Sequence, residues 1–255
     1  MKILLTGSNG YIGESLKTAF KKKYNITAIT RLDLNLTDRF AVAKWFENKI
    51  FDVVIHSAVV GGNRLKIDTS EVLDQNLEMY YNLLSHKDKF NKLIHFGSGA
   101  ELSLKHTPYG LSKAVIANSI EGIENFFNIR IFAVFNENEE PRRFIKNSII
   151  NYKNKKNIFI HENKKMDFFY MKDFIKLIEH YIVNNNLPKI IDCTYKRTYT
   201  LLEIANMINN LDNHKSKIII DKNINGQDYS GTHTPLLEYY GLEKGIKEVY
   251  KHLTL

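Results

Sequence analysis

The sequence predicts an α/β protein with a Rossmann-type, doubly wound parallel sheet and a smaller C-terminal α/β substrate lobe. Three observations lead to this prediction. Short apolar runs with the character of strands alternate with helix-length segments, and a glycine-rich turn directly follows the first run. The chain has 255 residues, 44% of them hydrophobic, which suffices for one sizeable core or for a large domain with a small lobe.

Strands and helices are predicted in alternation through the first part of the chain. The predicted strands are Lys2–Thr6, Ile26–Thr30, Val53–Ser57, Leu93–Gly97 and Ile129–Phe135, with Ile190–Thr194 later. The helices predicted between them are Tyr11–Lys22, Arg39–Asn48, Thr69–His86 and Tyr109–Phe126. This order indicates right-handed crossovers between parallel strands, with helices on both faces of the sheet.

The alternation loosens beyond residue 136, and a domain boundary is predicted there. Residues 1–136 are predicted to form a dinucleotide-binding domain whose sheet is completed by residues 188–196. Residues 137–255 are predicted to form the smaller substrate-binding lobe. Its predicted elements are the short apolar runs Ile158–Ile160 and Ile218–Ile220 and the helices Asp173–Val183, Leu201–Asn209 and Gly245–His252.

Composition excludes several classes of protein. The formal net charge is +8, but lysine is spread along the chain without aromatic–basic interleaving or a nucleic-acid motif, so no nucleic-acid partner is expected. Cys193 is the single cysteine, which rules out an internal disulfide and favours the cytoplasm. No cysteine–histidine cluster has metal-site spacing, so no metal is expected. The N-terminal apolar run is too short for a signal peptide or a membrane span.

The first functional motif is Gly7-Ser8-Asn9-Gly10-Tyr11-Ile12-Gly13, which lies between the first strand and the first helix. Gly7 permits the tight turn, Gly10 lets the backbone approach a pyrophosphate, and Gly13 lets the helix pack closely on the strand. The helix N-terminus adds N–H groups for a phosphate. Because the motif has the strand–turn–helix context that it requires, these seven residues are predicted to bind a nicotinamide dinucleotide.

The tip of the second strand bears on the choice between NAD and NADP. An acidic residue there accepts a hydrogen bond from the ribose 2′-hydroxyl of NAD, whereas an arginine accommodates the 2′-phosphate of NADP. Arg31 follows the strand, so NADP(H) is the predicted cofactor. Asp33, twenty residues beyond Gly13 (33 − 13), is the competing candidate, with a cap on the turn as its alternative role.

Three tyrosines have a lysine four residues on, which is close to what chance gives in a chain this rich in both. The pairs are Tyr109/Lys113, Tyr152/Lys156 and Tyr240/Lys244. Only the first begins a helix just after a predicted sheet strand, so position favours it. Four residues along a helix place both side chains on one face.

Tyr109, Lys113 and Ser98 are the predicted catalytic residues. The ammonium of Lys113 favours the ionised form of the phenol, so that Tyr109 exchanges a proton near neutral pH. Ser98, which ends the preceding strand region, hydrogen-bonds the same substrate oxygen. This group of residues suits hydride transfer between a nicotinamide and an alcohol or ketone.

With these residues in place, the chain resembles the extended short-chain dehydrogenase/reductase family, and within it the nucleotide-sugar reductases similar to GDP-L-fucose synthase. The segments that carry the resemblance are Thr6–Gly13, Asp33–Asp38, His56–Gly62, Gln75–Leu77, Tyr109–Lys113 and Tyr199–Ala205. The resemblance implies a nucleotide-sugar substrate and a homodimer through the helices predicted at Thr69–His86 and Tyr109–Phe126. It also implies cofactor contacts from Tyr109 and Lys113 and from Arg31, Asn35, Leu36, Ser57, Ala58 and Val59.

The chain also departs from that pattern on the substrate side. Ala100 and Asn138 stand where the similar reductases have a cysteine and a histidine for epimerisation, so 3,5-epimerisation is not expected. Gly99-Ala100 replaces the Asp-Glu pair of the family's dehydratases, which argues against loss of water. The stretch from Ser98 to Tyr109 is short (109 − 98 = 11), and Gly226–Gly231 replaces a basic segment that grips the sugar nucleotide.

The leading hypothesis is therefore an NADP-dependent reductase of a nucleotide-linked 4-keto sugar, with Tyr109 as the acid. One alternative is a nucleotide-sugar 4-epimerase that retains NAD, since it needs the same three residues. The other is a dinucleotide-binding protein with impaired catalysis, a hypothesis that rests on the short stretch before Tyr109 and on the altered segment at 226–231.

Overall fold

The computed structural model describes residues 1–63 and 66–254, and its largest sheet among these residues has six strands. The strands, in chain order, are β1 (Lys2–Thr6), β2 (Asn25–Ile29), β3 (Phe51–His56), β4 (Phe90–Ser98), β5 (Phe126–Ile131) and β10 (Ile190–Asp192). They lie side by side in the order β2-β1-β3-β4-β5-β10. The pairs β1–β2, β1–β3, β3–β4 and β4–β5 are parallel, and the predicted fold class is confirmed.

Helices connect these strands, as the alternation predicts. They are α1 (Tyr11–Phe20), α2 (Arg39–Phe46), α3 (Ser70–Leu84), α4 (Ala100–Ser103) and α5 (Pro108–Glu121), with a 3₁₀ turn at Lys87–Lys89. Asp38 caps α2 through the N–H groups of Phe40 and Ala41. The helix predicted to run to Phe126 ends at Glu121 instead, because Gly122 and Asn125, which has a φ of +57°, break it before β5 begins.

The predicted strand Ile129–Phe135 is wrong, because two strands share that apolar run. β5 ends at Ile131, and a separate strand β6 (Val134–Phe135) pairs in parallel with β9 (Phe169–Tyr170). Phe132 and Ala133 between them are buried, so the run shows no break in hydrophobicity. Apolar periodicity alone therefore has no signal for the change of sheet.

The chain divides into two compact units. Unit 1 comprises residues 1–131 and 177–191, and unit 2 comprises residues 132–176 and 192–255. The first division falls at Ile131 rather than at residue 136, since β6 pairs within unit 2. The second falls within helix α7 (Met171–Val183).

Unit 2 is built from short sheets and amphipathic helices. Its further elements are α6 (Phe144–Lys153), β7 (Ile158–Asn163), β8 (Lys165–Met166), β11 (Tyr199–Thr200), α8 (Leu201–Asn209), β12 (Ile218–Asn225) and α9 (Leu242–His252). β12 pairs with β7 in parallel, and β11 pairs with β8 antiparallel. Helix α6 was not predicted. Across residues 1–63 and 66–254, no helix is long and apolar enough to cross a membrane, and no acidic, histidine or cysteine cluster has the arrangement of a metal site.

Candidate active site

The glycine-rich turn lies at the carboxyl end of β1 and leads into α1. Gly7 has a φ of +64°, a conformation that disfavours a side chain. A methyl group there would also lie 2.6 Å from the backbone nitrogen of Ala58, which follows β3. A methyl group on Gly13 would overlap the carbonyl oxygen of Gly7. The fold itself therefore requires these two glycines.

Gly10 differs from its two neighbours, because the fold does not require a glycine there. Its φ is −75°, and a methyl group would approach the carbonyl oxygen of Gly7 at 3.4 Å, an ordinary contact. Gly10 is exposed and occupies the N-cap of α1 without a side-chain oxygen to cover the helix N-terminus. This end of α1 thus has the open backbone that binds an anion.

The other residues of the turn differ in exposure. Ser8 is buried, and its N–H donates to the carbonyl oxygen of Ile29 at 3.1 Å, which fastens the turn to the end of β2. Asn9 is exposed, and Tyr11 and Ile12 are half-buried in the first turn of α1. Asn9, Tyr11 and Ile12 are therefore the side chains of the turn that a ligand can reach.

The predicted contacts after β3 lie next to the glycine turn. β1 and β3 are neighbours at the point where the strand order reverses, which is where open α/β sheets bind ligands. The hydroxyl of Thr6 shares a hydrogen bond with Nδ1 of His56 at 2.9 Å and accepts one from the N–H of Ala58 at 3.2 Å. Ser57 and Ala58 are half-buried and Val59 is exposed. His56 thus has a structural role at this junction.

The two candidate residues after β2 differ in their contacts. The carboxylate of Asp33 accepts hydrogen bonds from the N–H of Thr30 at 2.8 Å and from its hydroxyl at 2.7 Å, and these bonds lower the pKa of Asp33. Asp33 therefore closes the turn. Arg31 is exposed, and it has no hydrogen bond or ion pair with any residue of 1–63 or 66–254.

The next two predicted cofactor residues have side chains that the fold already uses. The amide oxygen of Asn35 accepts a hydrogen bond from the hydroxyl of Thr37 at 3.0 Å. The side chain of Leu36 is buried in the core of unit 1, and its carbonyl oxygen accepts a hydrogen bond from Asn82 at 2.8 Å. Any contact of Leu36 with a ligand therefore falls to its backbone.

Tyr109 and Lys113 lie on one face of α5. Thr107 caps this helix through the N–H of Gly110, and Pro108 occupies its first turn. Lys113 is 4% exposed, and its ammonium donates a 2.6 Å hydrogen bond to the carbonyl oxygen of Phe96. The same ammonium lies 5.8 Å from the centre of the Tyr109 ring. Burial lowers the pKa of Lys113 to about 8.

A glycine loop after β3 packs against the Tyr109 ring. Gly62 has a φ of +72°, and a methyl group on it would lie 2.8 Å from ring atoms of Tyr109. Buried Asn76 of α3 fixes the loop, since its amide accepts from the N–H of Val60 at 2.9 Å and donates to the carbonyl oxygen of Val60 at 3.0 Å. Asn76 also donates to Ser112 of α5 at 3.2 Å. Asn76 thus joins the loop to the helix of Tyr109.

Ser98 is the last residue of β4 and is buried. Its hydroxyl accepts a hydrogen bond from the N–H of Ala100 at 3.2 Å. The short stretch up to Tyr109 contains helix α4, against which α5 packs closely, because a methyl group on Gly110 would overlap the carbonyl oxygen of Leu104. The short stretch is therefore packed against the helix that carries Tyr109.

The two positions that bear on epimerisation have no acid or base. Ala100 is buried at the start of α4, and Asn138 is exposed, with its N–H donating to the amide oxygen of Asn136 at 2.9 Å. Glu101, in contrast, is a buried carboxylate that sequence reasoning missed. A lone acidic residue between Ala100 and Leu102 gives no local signal of burial.

Unit 2 has a cavity of its own. Its volume is about 490 Å³, and it is lined by Asn163, Lys164, Lys165, Thr200, Gly226 and Asp228. The side chains of Lys164 and Lys165 make no hydrogen bond or close ion pair within residues 1–63 and 66–254. Gly226 and Asp228 belong to the segment that departs from the basic pattern of similar reductases. The cavity therefore carries two cations and the carboxylate of Asp228.

The parallel sheet, the strand-order reversal and the glycine turn together define a dinucleotide-binding protein of the Rossmann type. The chain belongs to the NAD dependent epimerase/dehydratase family, whose model matches residues 3–193. The predicted membership of the extended short-chain dehydrogenase/reductases is thereby confirmed.

Individual relatives agree with this membership. The chain is 24% identical over 264 residues to GDP-L-colitose synthase from Yersinia pseudotuberculosis, covering 87% of this chain and 85% of that protein. Among solved structures, GDP-mannoheptose C4 reductase from Campylobacter jejuni, with NADP bound, has a TM-score of 0.82 at 18% identity, covering 98% and 97% of the two chains. UDP-glucose 4-epimerase from Thermus thermophilus, in complex with NAD, has a TM-score of 0.78 at 16% identity, covering 99% of both chains. The structural likeness supports the fold, and it includes reductases and epimerases alike.

Proposed function

We propose that the protein catalyses the NADP-dependent reduction of a nucleotide-linked 4-keto sugar, without 3,5-epimerisation. The observation that carries the proposal is the buried ammonium of Lys113, held by Phe96 and 5.8 Å from the centre of the Tyr109 ring. The open N-terminus of α1 at Gly10 fits a dinucleotide pyrophosphate in the same unit. The named relatives that act on nucleotide sugars support the substrate class.

Each catalytic residue has a defined task in this proposal. When bound, NADPH supplies the hydride that the carbonyl carbon receives. Tyr109 donates its phenolic proton to the carbonyl oxygen, so that the ketone becomes an alcohol. Lys113 binds the nicotinamide ribose and stabilises the tyrosinate that remains, because an ammonium near a phenolate favours its charge. Ser98 orients the carbonyl oxygen by a hydrogen bond.

The preference for NADP over NAD is part of the proposal. Its support is the contrast between Arg31, which is exposed and available, and Asp33, which is bound to Thr30. A guanidinium forms paired hydrogen bonds with phosphate oxygens, so Arg31 suits the 2′-phosphate. The seven residues of the glycine turn hold the pyrophosphate, and residues Ser57 to Val59 lie beside it at the strand-order reversal.

The nucleotide of the substrate is assigned to unit 2. Lys164 and Lys165 supply two cations at the 490 Å³ cavity, which suits the diphosphate of a nucleotide sugar. Asp228 anchors this cavity through a 2.9 Å hydrogen bond from the N–H of Lys165. The loss of the basic segment at 226–231 is thus partly offset by these two lysines.

The decisive experiment is a screen of GDP-, dTDP-, UDP- and CDP-linked 4-keto sugars for NADPH oxidation. Tyr109→Phe should remove turnover while dinucleotide affinity stays nearly unchanged. Tyr81→Phe, the same change at an exposed tyrosine of α3, is the matched control and should retain turnover. Turnover that survives Tyr109→Phe on the true substrate excludes Tyr109 as the acid.

A nucleotide-sugar 4-epimerase is the second candidate, and the likeness to UDP-glucose 4-epimerase favours it. Such an enzyme uses the same serine, tyrosine and lysine but keeps its dinucleotide through each cycle. The nucleotide content of the purified protein distinguishes the two. Tightly bound NAD in equimolar amount supports the epimerase, and protein free of nucleotide that consumes NADPH supports the reductase.

A dinucleotide-binding protein without catalysis is the third candidate. It rests on the altered segment at Gly226–Gly231 on the substrate side. Turnover of any nucleotide 4-keto sugar by the purified protein excludes it. A cytoplasmic location and a homodimer through α3 and α5 are further proposals, which cell fractionation and light scattering test.

A further inference from the structure

Glu101 is a buried carboxylate beside the predicted catalytic residues of unit 1. It lies in the one-turn helix α4, three residues beyond Ser98, and is 2% exposed. A carboxylate at such a position is costly unless it is hydrogen-bonded and its charge is balanced. The surroundings of Glu101 therefore indicate what it does.

Three donors surround this carboxylate. One oxygen, Oε1, accepts a 2.6 Å hydrogen bond from Nε of Arg130 and a 2.9 Å bond from the amide of Asn128, both on β5. The other oxygen, Oε2, accepts a hydrogen bond from the backbone N–H of Ser98 at 3.3 Å. Glu101 thus connects the end of β4, where Ser98 lies, to the adjacent strand β5.

The end of β4 leaves space for the hydrogen bonds of Glu101. A methyl group on Gly97 would lie 2.5 Å from the amide oxygen of Asn128 and 2.7 Å from Oε2 of Glu101. The glycine before Ser98 therefore leaves the space that the carboxylate and the amide occupy. The Ser98 backbone and the Glu101 carboxylate are fitted to each other.

Glu101 and Lys113 both contact the end of β4. The Lys113 ammonium donates to the carbonyl oxygen of Phe96, and the Glu101 carboxylate lies against the next residue, Gly97. From this position the charge of Glu101 acts on Lys113. Burial lowers the pKa of Lys113 to about 8, and the negative charge of Glu101 opposes that shift by raising it. Among the described residues, the other titratable groups that face Lys113 are His56, His95 and Tyr109, and none of them is a carboxylate. His56 on β3 and His95 on β4 are buried, and burial together with the charge of Lys113 lowers the pKa of each. Tyr109 lies on α5, like Lys113, and the centre of its ring is 5.8 Å from the Lys113 ammonium.

We propose that Glu101 is a positioning residue of this site: it fixes the Ser98 backbone and is the buried counter-charge of the Lys113 ammonium. Its importance for turnover rests on the proposed function, because only there do Ser98 and Lys113 have catalytic tasks. Its effect on the charge of Lys113 does not depend on any substrate. Arg130 also pairs with this carboxylate, through a side chain that is 14% exposed.

The test compares Glu101→Gln with Glu121→Gln, the same change at an exposed carboxylate of the same unit. Protein with ¹³C-labelled lysine is titrated by NMR without cofactor, and the Lys113 resonance is assigned by its loss in Lys113→Arg. The expected result is that the pKa of Lys113 falls by on the order of 1 pH unit in Glu101→Gln and is unchanged in Glu121→Gln. An unchanged Lys113 titration in folded Glu101→Gln overturns the proposal.

A second variant keeps the test decisive if Glu101→Gln does not fold. The double variant Glu101→Gln/Arg130→Gln removes both charges of the pair and leaves no buried guanidinium without a partner. The Lys113 titration should still move downward, but by less than in Glu101→Gln, because loss of the Arg130 charge acts in the opposite direction. A folded double variant whose Lys113 titration is the same as in the wild type overturns the proposal.

Turnover provides the link to function. If 4-keto sugars are reduced, the alkaline limb of the pH profile of kcat should move to lower pH in Glu101→Gln, in step with the NMR titration. A profile that stays fixed while the lysine titration moves overturns the catalytic part of the proposal. If the lysine titration moves and wild-type protein reduces no 4-keto sugar, the counter-charge is supported and the proposed function fails.

Discussion

The ring of Tyr109 packs directly over Gly62, so closely that a single methyl group on Gly62 would lie 2.8 Å from ring carbons of Tyr109. Gly62 also has a φ of +72°, where a side chain adds backbone strain. The glycine is fixed from the other side by the carboxylate of Asp68, which accepts its N–H at 3.2 Å. The position of the proposed acid therefore depends on a loop that is distant in sequence.

Gly62→Ala should displace the Tyr109 ring and lower kcat more than it lowers dinucleotide affinity. The strain should also reduce the free energy of unfolding by roughly 1–3 kcal/mol. Gly122→Ala is the matched control, because Gly122 has a φ of −85° and a methyl group there meets no described atom within 4 Å. Chemical unfolding and initial rates measure both effects. Equal kcat in Gly62→Ala and wild type would show that the loop does not place Tyr109.

Arg31→Gln should weaken NADPH binding and leave NADH binding nearly unchanged. A charge-assisted hydrogen bond to a phosphate contributes about 1.5–3 kcal/mol, which corresponds to a loss of roughly 10- to 100-fold in NADPH affinity. Arg39→Gln, at an exposed arginine that starts α2, controls for the general loss of positive charge. Fluorescence titration with NADPH and with NADH gives the ratio of the two affinities. A ratio of affinities that Arg31→Gln leaves unchanged contradicts the assignment of Arg31 to the 2′-phosphate.

The sequence predicts best those features that are decided by neighbouring residues. Helix α8 has the predicted bounds Leu201–Asn209, because Thr200 and Glu203 form a reciprocal capping box at its start. The glycine turn likewise depends on a strand, three glycines and a helix that are contiguous in the chain. Helix α6 lacks such a cap, and its local signal is the helical spacing of its buried residues Ile145, Ser148, Ile149 and Tyr152.

Features that depend on distant residues were not predictable in this way. Glu101 is a functional candidate only because the pairing of β4 with β5 brings Arg130 and Asn128 to it. The different contacts of Arg31 and Asp33 likewise depend on how the turn closes on Thr30. A propensity or a motif has no information about which side chain a sheet neighbour presents. The substrate side of the site could not be predicted from the sequence for the same reason.

Gly10→Ala and Gly13→Ala should have opposite effects on folding and binding. At Gly13 a methyl group overlaps the Gly7 carbonyl oxygen, so the variant should lose stability. At Gly10 a methyl group has room in the fold, so Gly10→Ala should unfold like the wild type but bind NADPH at least about 10-fold more weakly, because the methyl group obstructs the pyrophosphate. Thermal unfolding measures the effect of each variant on stability, and NADPH titration measures its effect on binding. Unweakened binding by Gly10→Ala would place the pyrophosphate elsewhere.

Lys113 should make activity and stability respond to pH in opposite directions. Its pKa is about 8 in the folded protein and 10.5 in its unperturbed state, so between these values the unfolded chain holds a proton that the folded protein has released. The free energy of unfolding therefore rises with pH across this window from this group, while turnover, which needs the ammonium, falls as pH rises through about 8.

Lys113→Met tests this relationship, because it removes the buried charge together with the catalytic ammonium. The variant should lack turnover, and its stability relative to the wild type should be greatest at pH 7 and should decrease by roughly 1–3 kcal/mol towards pH 10. Lys44→Met, at an exposed lysine of α2, should show no such change with pH. Urea unfolding at both pH values gives the comparison. A stability difference between Lys113→Met and wild type that is the same at pH 7 and pH 10 would mean that Lys113 keeps its proton throughout, and that its burial does not tune the site.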